Sequence, residues 1–326
     1  FAEIKKLRKN SLLISGDGSV IAALLTEDKC SDLLSLNSDF LQFKQLKNVH
    51  TTDSKTELMR YPWDFVNRNG SEIANDFKRI VKKGSDFKSN SVILKNKKNI
   101  FIGTGAVVDP FVVLDATDGP IYIGKRVRIM PNCYIQGPVF IGDDSIVKAG
   151  AAIYHNTSIG EMCKVGGEIE SSIILSYSNK QHAGFLGHSY LGSWINIGAG
   201  TNNSDLKNNY ENISVLLNGK PVDTGSQFVG LIMGDHSKTA INTMFNTGTI
   251  AGVSCNIFGA GFPPRYIPSF SWGGSDFLKT YDINKSLQVA DLVFKRRGKT
   301  YTDEDGNLLK RLFEITSAER SRKTKA

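Results

Sequence analysis

Residues 123–165 read Ile123-Gly-Lys-Arg-Val-Arg-Ile129-Met-Pro-Asn-Cys-Tyr-Ile135-Gln-Gly-Pro-Val-Phe-Ile141-Gly-Asp-Asp-Ser-Ile-Val147-Lys-Ala-Gly-Ala-Ala-Ile153-Tyr-His-Asn-Thr-Ser-Ile159-Gly-Glu-Met-Cys-Lys-Val165. An aliphatic residue returns at every sixth position without exception. Glycine follows it at Gly124, Gly142, Gly160 and Gly166, and a small residue stands four places after it at Ser145, Ala151 and Thr157. A period of six is neither the 3.6 of a helix nor the 2 of a simple strand. It fits a triangular solenoid in which each side is a short strand plus a corner. Three hexads, about eighteen residues, then make one coil, and Ile123, Ile141 and Ile159 stack over one another.

Working outward, Ile102-Gly103, Val108 and Leu114 begin the rhythm before Asp118-Gly119-Pro120 shifts its phase. Leu191-Gly192 and Ile197-Gly198 resume it. The pattern predicts repeats from about residue 100 to 270, interrupted near 171–190 and 202–227. Residues 1–90 lack the period. Leu12–Ile14, the turn Gly16-Asp17-Gly18 and Val20–Leu25 read as a β-hairpin. Ser71–Ile80 reads as an amphipathic helix with Ser71 near its start. A Lys/Asn/Ser-rich stretch, Lys82–Asn99, follows as a linker. Beyond Trp272-Gly273-Gly274, Asp282–Arg297 and Asp305–Arg320 read as helices, and the basic tail Arg320–Lys325 as frayed. Three regions result: 1–95, a small α+β remnant and linker; 96–274, the β prism; and 275–326, a helical extension and tail.

The 326 residues carry a formal charge of +8, spread without aromatics interleaved among the basic side chains. That balance suits phosphorylated small molecules rather than nucleic acid. No apolar run is long enough to span a membrane, and no signal-peptide core is present. Cys30, Cys133, Cys163 and Cys255 are scattered, with neither disulfide nor metal-ligand spacing, which suits reduced thiols in the cytoplasm and gives no metal site.

Polar chemistry concentrates at 171–203. It holds His182, His188, Lys180 and Asn196, with Glu168 and Glu170 just before. A histidine can act as a base near neutral pH. The Gly198-Ala199-Gly200 corner offers backbone N–H groups to a developing oxyanion. The loop Asn202–Tyr210, with Asn203, Asp205 and Lys207, supplies amide and charged groups suited to sugar hydroxyls.

The segment resembles the acetyltransferase half of the GlmU-like family, the bifunctional sugar-1-phosphate nucleotidyltransferase/acetyltransferases. That family carries a glutamate two residues before a lysine and then Ser-Ile-Ile; a histidine with tyrosine three places on and then Gly-Asp; and Asn-aliphatic-Gly-Ala-Gly-Thr. Here the blocks are Glu168-Ile169-Glu170-Ser171-Ser172-Ile173-Ile174, His182-Ala183-Gly184-Phe185-Leu186-Gly187-His188 and Asn196-Ile197-Gly198-Ala199-Gly200-Thr201, at ungapped spacing. Tyr61-Pro62-Trp63-Asp64, Asp115–Ile121 and Phe270-Ser271-Trp272-Gly273 resemble a bacterial branch annotated for sugar nucleotidyl transfer, so the likeness covers about residues 60–275.

The resemblance implies a mainly β fold, a left-handed parallel β-helix built of hexapeptide repeats, forming a homotrimer. It implies N-acetylation of an amino-sugar phosphate such as glucosamine 1-phosphate, with acetyl-CoA as co-substrate, in nucleotide-sugar synthesis. In this register His182 is the catalytic base and His188 the runner-up. Glu168, Phe185 and Asn196 fall at acceptor contacts, and Gly198 and Ala199 at the acetyl-CoA thioester. Gly230 and Ala251 belong to repeats that would carry the pantetheine, with Arg265 beside the CoA phosphates. Two positions depart from the family: Phe185 replaces the tyrosine, and Glu170 replaces the lysine that grips the sugar phosphate. Lys180 or Lys207 is expected to supply the missing cation. No Gly-rich Arg/Lys nucleotide loop occurs, and Mg2+ enters only if a nucleotidyltransferase domain is active. The alternatives are a nucleotidyltransferase whose prism is a platform, and a non-catalytic trimeric scaffold.

Overall fold

Ile123, Ile129, Ile135, Ile141, Val147, Ile153, Ile159 and Val165 are all shielded completely from solvent, because the chain turns a corner after each one. In the computed structural model, which describes residues 3–35, 41–56, 58–82, 84, 87–217 and 219–321, these side chains fill a left-handed parallel β-helix. Ile141 pairs with Ile123 below and Ile159 above, Val147 with Ile129 and Val165, and Ile153 with Ile135. The three files line three faces. Face A begins with Ile93–Lys95, face B with Ile100–Ile102 and face C with Val107–Val108. The small residues at the corners are often hydroxylic for a reason: Ser145 Oγ donates to Gly160 O (2.8 Å) and accepts from Cys163 N (2.9 Å). A buried corner thus has its backbone groups satisfied from inside.

The interruption expected at 171–190 does not exist. The coil continues, with Ile169, Ile174, Lys180, Leu186 and Leu191 pairing in register on Ile153, Ile159, Val165, Ile169 and Ile174. Three corners here lose one or two residues: Val165 to Ile169 is four apart, and Ile169 to Ile174 and Leu186 to Leu191 are five, while Ile174, Lys180 and Leu186 keep the spacing of six. Non-glycine residues in left-handed conformation, Ser171 and His188, make the tightened turns between faces A and B, as Asn156 makes the full-length turn below them. Lys180 takes an inward position in face C and is 1% exposed. Its ammonium donates to Gly166 O (3.0 Å) and His182 O (2.9 Å), and burial pushes its pKa down to about 8. The second interruption is real. After the strand Asn202–Asn203 the chain leaves the prism as a hairpin, Ser214–Leu217 with Lys220–Asp223, and re-enters at Gly230. Ile213, Val215, Val229, Ile232, Ile250 and Trp63 pack together beneath it.

The expected helix begins nine residues earlier than Ser71. It spans Pro62–Ile80, with Pro62 in its first turn and the Asp64 carboxylate accepting from Tyr61 N–H at 3.0 Å. Trp63, Val66, Asn69, Gly70 and Ile73 form its buried stripe. Asn69 donates to Asn156 O (2.6 Å) and accepts from Ser158 Oγ (2.7 Å), which fixes the helix to face B. Gly70 allows this close approach, since a Cβ there would collide with the Asn156 side chain. The compact units are residues 1–60 and 61–326, so this helix belongs with the prism. Within the first unit, the Ser11–Ser15/Val20–Leu24 hairpin gains a parallel third strand, His50–Ser54, around Leu12, Leu13 and Leu33.

At the other end, Ile283–Arg296, capped by Asp282 on Lys285 N–H (2.9 Å), and Asp303–Ile315 pack through Phe270, Ala290 and Leu309. The second helix starts at Asp303 rather than Asp305, because Thr302 and Asp305 form a capping box. The tail residues 322–326 lie outside the described residues. Among the described residues the four cysteines are unpaired, and no helix is long and apolar enough to cross a membrane.

Two outcomes test this architecture. Ile141→Ala is expected to destabilise the chain by about 2–5 kcal/mol, and the outward Ile146→Ala by about 0.5 kcal/mol or less, in urea unfolding followed by circular dichroism. Equal losses would contradict the inward file. For Lys180 the folded pKa lies below the unfolded value, so between about pH 8 and 10.5 the unfolded chain binds the extra proton and stability rises with pH. Relative to Lys180→Met, the wild type is expected to gain stability across that window and to hold a constant difference below it. A flat difference from pH 7 to 11 would place Lys180 outside the core.

Candidate active site

His182 stands at the corner between faces C and A, directly after the strand Asn179–Lys180. It is exposed, and its ring has no hydrogen-bond partner among the described residues. One coil above, Gly198, Ala199 and Gly200 turn the same corner. The coils are tied by Gly200 N–H to Ala183 O (3.0 Å) and Asn242 N–H to Ala199 O (2.7 Å). Gly184 is required here: its φ is +120°, and a Cβ would strike Thr201 O. The Gly198 N–H donates to Thr239 Oγ1 (2.9 Å), whereas the Ala199 N–H has no partner among the described residues. Of the two backbone donors expected to face a thioester, only Ala199 is open. Asn196 is exposed on face C, its Oδ1 accepting from Asn179 Nδ2 at 3.4 Å.

Glu168 and Phe185 lie in register on the adjoining face A, and Asn202 Oδ1 accepts from Phe185 N–H (2.8 Å). Across that face, at the corner between A and B, His188 Nδ1 lies 2.8 Å from Asp205 Oδ2. Its ring stacks on Phe228 with centroids 4.8 Å apart. One coil below, His155 Nε2 is 3.4 Å from Glu170 Oε1, and Glu170 O accepts from His188 N–H at 3.1 Å. Two histidine–carboxylate pairs therefore run up one edge, opposite the edge that holds His182.

Several expected site residues serve the fold instead. Lys180 cannot meet a phosphate, because its ammonium is spent on two carbonyls inside the prism. Asn203, 5% exposed, points inward and bonds both Gly187 N–H (3.1 Å) and Gly187 O (3.0 Å). Asp205 orients His188. Lys207 donates to Asn212 O (2.9 Å) within the insertion. Ala251 is an inward core residue, and Gly230 is the close-packed point where the chain re-enters the prism beside Gly187 O. Arg265 holds the hairpin to the coil through Thr247 O (3.1 Å) and Ser214 O, so it is not held out toward a CoA phosphate. The amide-rich insertion does form a cleft of about 520 Å³, lined by Ser204, Lys207, Asn208, Asn209 and Asn246. Among the described residues no group of His, Cys, Asp or Glu is clustered as metal ligands. The His188–Asp205 pair escaped sequence reasoning, although its separation of 17 residues, one coil, was a usable signal.

Residues 1–85 match the family model described as sugar nucleotidyl transferase, and residues 120–155 match the bacterial transferase hexapeptide repeat. The bifunctional sugar-1-phosphate nucleotidylyltransferase/acetyltransferase of Sulfurisphaera tokodaii is 29% identical over 194 residues, covering 52% of this chain and 47% of that protein. The bifunctional protein GlmU of Methanococcus aeolicus is 29% identical over 278 residues, covering 84% and 60%. Its counterpart in Methanococcus vannielii is 32% identical over 202 residues, covering 61% and 42%. Among solved structures, an Arabidopsis UDP-N-acetylglucosamine acyltransferase aligns over 74% of this chain and 86% of its own at 14% identity and a TM-score of 0.35. The chain spans about half the length of the curated relatives it matches. The resemblance carried by the Glu168, His182 and Asn196 blocks thus extends to sequence similarity over 52% to 84% of the chain with the GlmU-like bifunctional nucleotidyltransferase/acetyltransferases.

Proposed function

We propose that this chain is an N-acetyltransferase that moves the acetyl group of acetyl-CoA to the amine of an amino-sugar phosphate, glucosamine 1-phosphate or a close analogue. The observation that carries the reading is the shared corner of His182 and Ala199: an exposed imidazole without a ring partner, one coil below a backbone N–H without one. The acceptor amine attacks the thioester carbonyl carbon. His182 takes the proton released from nitrogen, and the Ala199 N–H donates to the oxyanion of the tetrahedral intermediate. Collapse breaks the C–S bond, and the protonated His182 returns the proton to the departing thiolate. Glu168 and Asn196 flank this corner and would contact the acceptor, while Phe185 gives its ring a flat apolar wall. The open corner suits a site completed by a second copy, and a homotrimer in the cytoplasm is the assembly proposed. The similarity to the GlmU-like proteins supports the reaction class and a role in forming UDP-N-acetylglucosamine-type nucleotide sugars.

A second reading has its own support. The match of residues 1–85 to a sugar nucleotidyl transferase family favours nucleotidyl transfer, with Mg2+, as a further activity of the intact protein. Pyrophosphate release from a nucleoside triphosphate and a sugar 1-phosphate measures it.

Free-thiol release from acetyl-CoA with glucosamine 1-phosphate tests the acetyltransferase. His182→Ala is expected to lower kcat by about 10²–10⁴-fold. His188→Ala is expected to lower it by about tenfold or less, through loss of the Asp205 pair and the Phe228 stack. The reverse order would make His188, with Asp205 as its orienting carboxylate, the base.

A further inference from the structure

Face C carries a file of outward side chains that differs from those of the other faces. Lys164 pairs with Asn179, Asn179 with Asn196, Asn196 with Lys238, Lys238 with Asn256 and Asn256 with Trp272. Successive members sit one rung, about 4.8 Å, apart. The C-terminal helix brings Arg297 to its side, where a guanidinium nitrogen donates to Asn179 Oδ1 at 2.8 Å. Arg297 occupies that oxygen and Asn179 occupies Asn196 Oδ1, while among the described residues the Asn196 Nδ2 and the Asn256 amide have no hydrogen-bond partner.

Lys238 is the unusual member. It is half-buried, and among the described residues its Nζ has one acceptor, His236 O at 2.8 Å. Among the described residues no carboxylate lies within 4 Å of it. Asp235, in the same coil, is turned to the next corner, accepting from Ser193 N–H at 2.9 Å. A desolvated ammonium without a counter-ion is normally paired or neutralised. Burial alone draws this one down to about 8. Lys180, also lowered by burial, differs in having two carbonyls and in being 1% exposed.

The geometry points to Lys238, flanked by Asn196 and Asn256, as a binding site for a phosphate monoester on face C. One phosphate spans the rungs: its oxygens can accept from the ammonium and from an amide on either side, each about 2.9 Å away. The site supplies a cation that neither Glu170 nor the buried Lys180 provides. It lies one rung from Asn196, so the phosphate belongs either to the sugar acceptor or to the 3′-phosphate of CoA. The existence of the site does not depend on acetyl transfer, which only decides between these sources.

Isothermal titration of the full chain separates them, with glucosamine 1-phosphate against glucosamine, and CoA against 3′-dephospho-CoA. Lys238→Met is expected to weaken the phosphate-bearing member of one pair about tenfold or more, leaving its phosphate-free partner unchanged. Lys238→Arg is expected to keep most of the affinity. Whichever pair responds names the source. Because Lys238→Met could disturb the coil, a wild-type measurement stands beside it: the pH titration of the lysine ε-methylene signal by carbon NMR, with and without inorganic phosphate. Phosphate is expected to move the Lys238 midpoint upward. Unchanged affinities in a folded Lys238→Met chain, or a midpoint indifferent to phosphate, would overturn the site.

Discussion

A coil of this prism has no core of its own; its inward side chains are shielded only by the equivalent side chains of the coils above and below. Each fully buried isoleucine contributes about 1.5–3 kcal/mol by leaving water, and it does so only while the register holds. The backbone hydrogen bonds between coils run in the same direction and fail together with that register. One contiguous core consequently extends from Val92 to Ile267, through all three faces. Corners, by contrast, can change length as long as the next inward residue still lands on its file.

That asymmetry explains what could be read from the residues and what could not. From 123 to 165 every corner has the same length, so the period is visible and the architecture follows from it. From 165 to 191 three of the five corners shorten, the unbroken period is lost from the sequence, and the coil appears broken although the register is intact. Once the phase is lost, inward and outward positions can no longer be told apart by counting. Lys180 and Asn203 then look like site residues because they are polar, when both face the core and bond its carbonyl and amide groups. The first half of the helix Pro62–Ile80 is hidden in the sequence for a different reason: Gly70 weakens the local helical pattern, and its purpose, close packing against Asn156, is visible only in three dimensions.

The His182, Asn196 and Ala199 blocks keep their relation because the coil is counted in residues, and it carries His182 and Ala199 to one corner. It also places His188 over the opposite corner, beside Asp205, a partner that polarity alone would not single out. Arg265 and Ala251 lie in later repeats outside those blocks, and the fold uses both for packing.

The tightened coils also bear on chemistry. In the regular part Ile141 finds its neighbour eighteen residues away at Ile159, but Val165 meets Lys180 after fifteen and Glu168 meets Phe185 after seventeen. His182 and Ala199 themselves stand on corners of full length, six residues from Lys180 to Leu186 and six from Ile197 to Asn203, so the exposed histidine and the open Ala199 N–H share a turn of ordinary hexad spacing. Lys180 answers the shortening from within: its ammonium binds the carbonyl of Gly166, in the corner 165–169 that has lost two residues, and that of His182 in the coil above. A buried cation is a poor contributor to stability. Its place here follows from what it holds, which is the turn on which the proposed base stands.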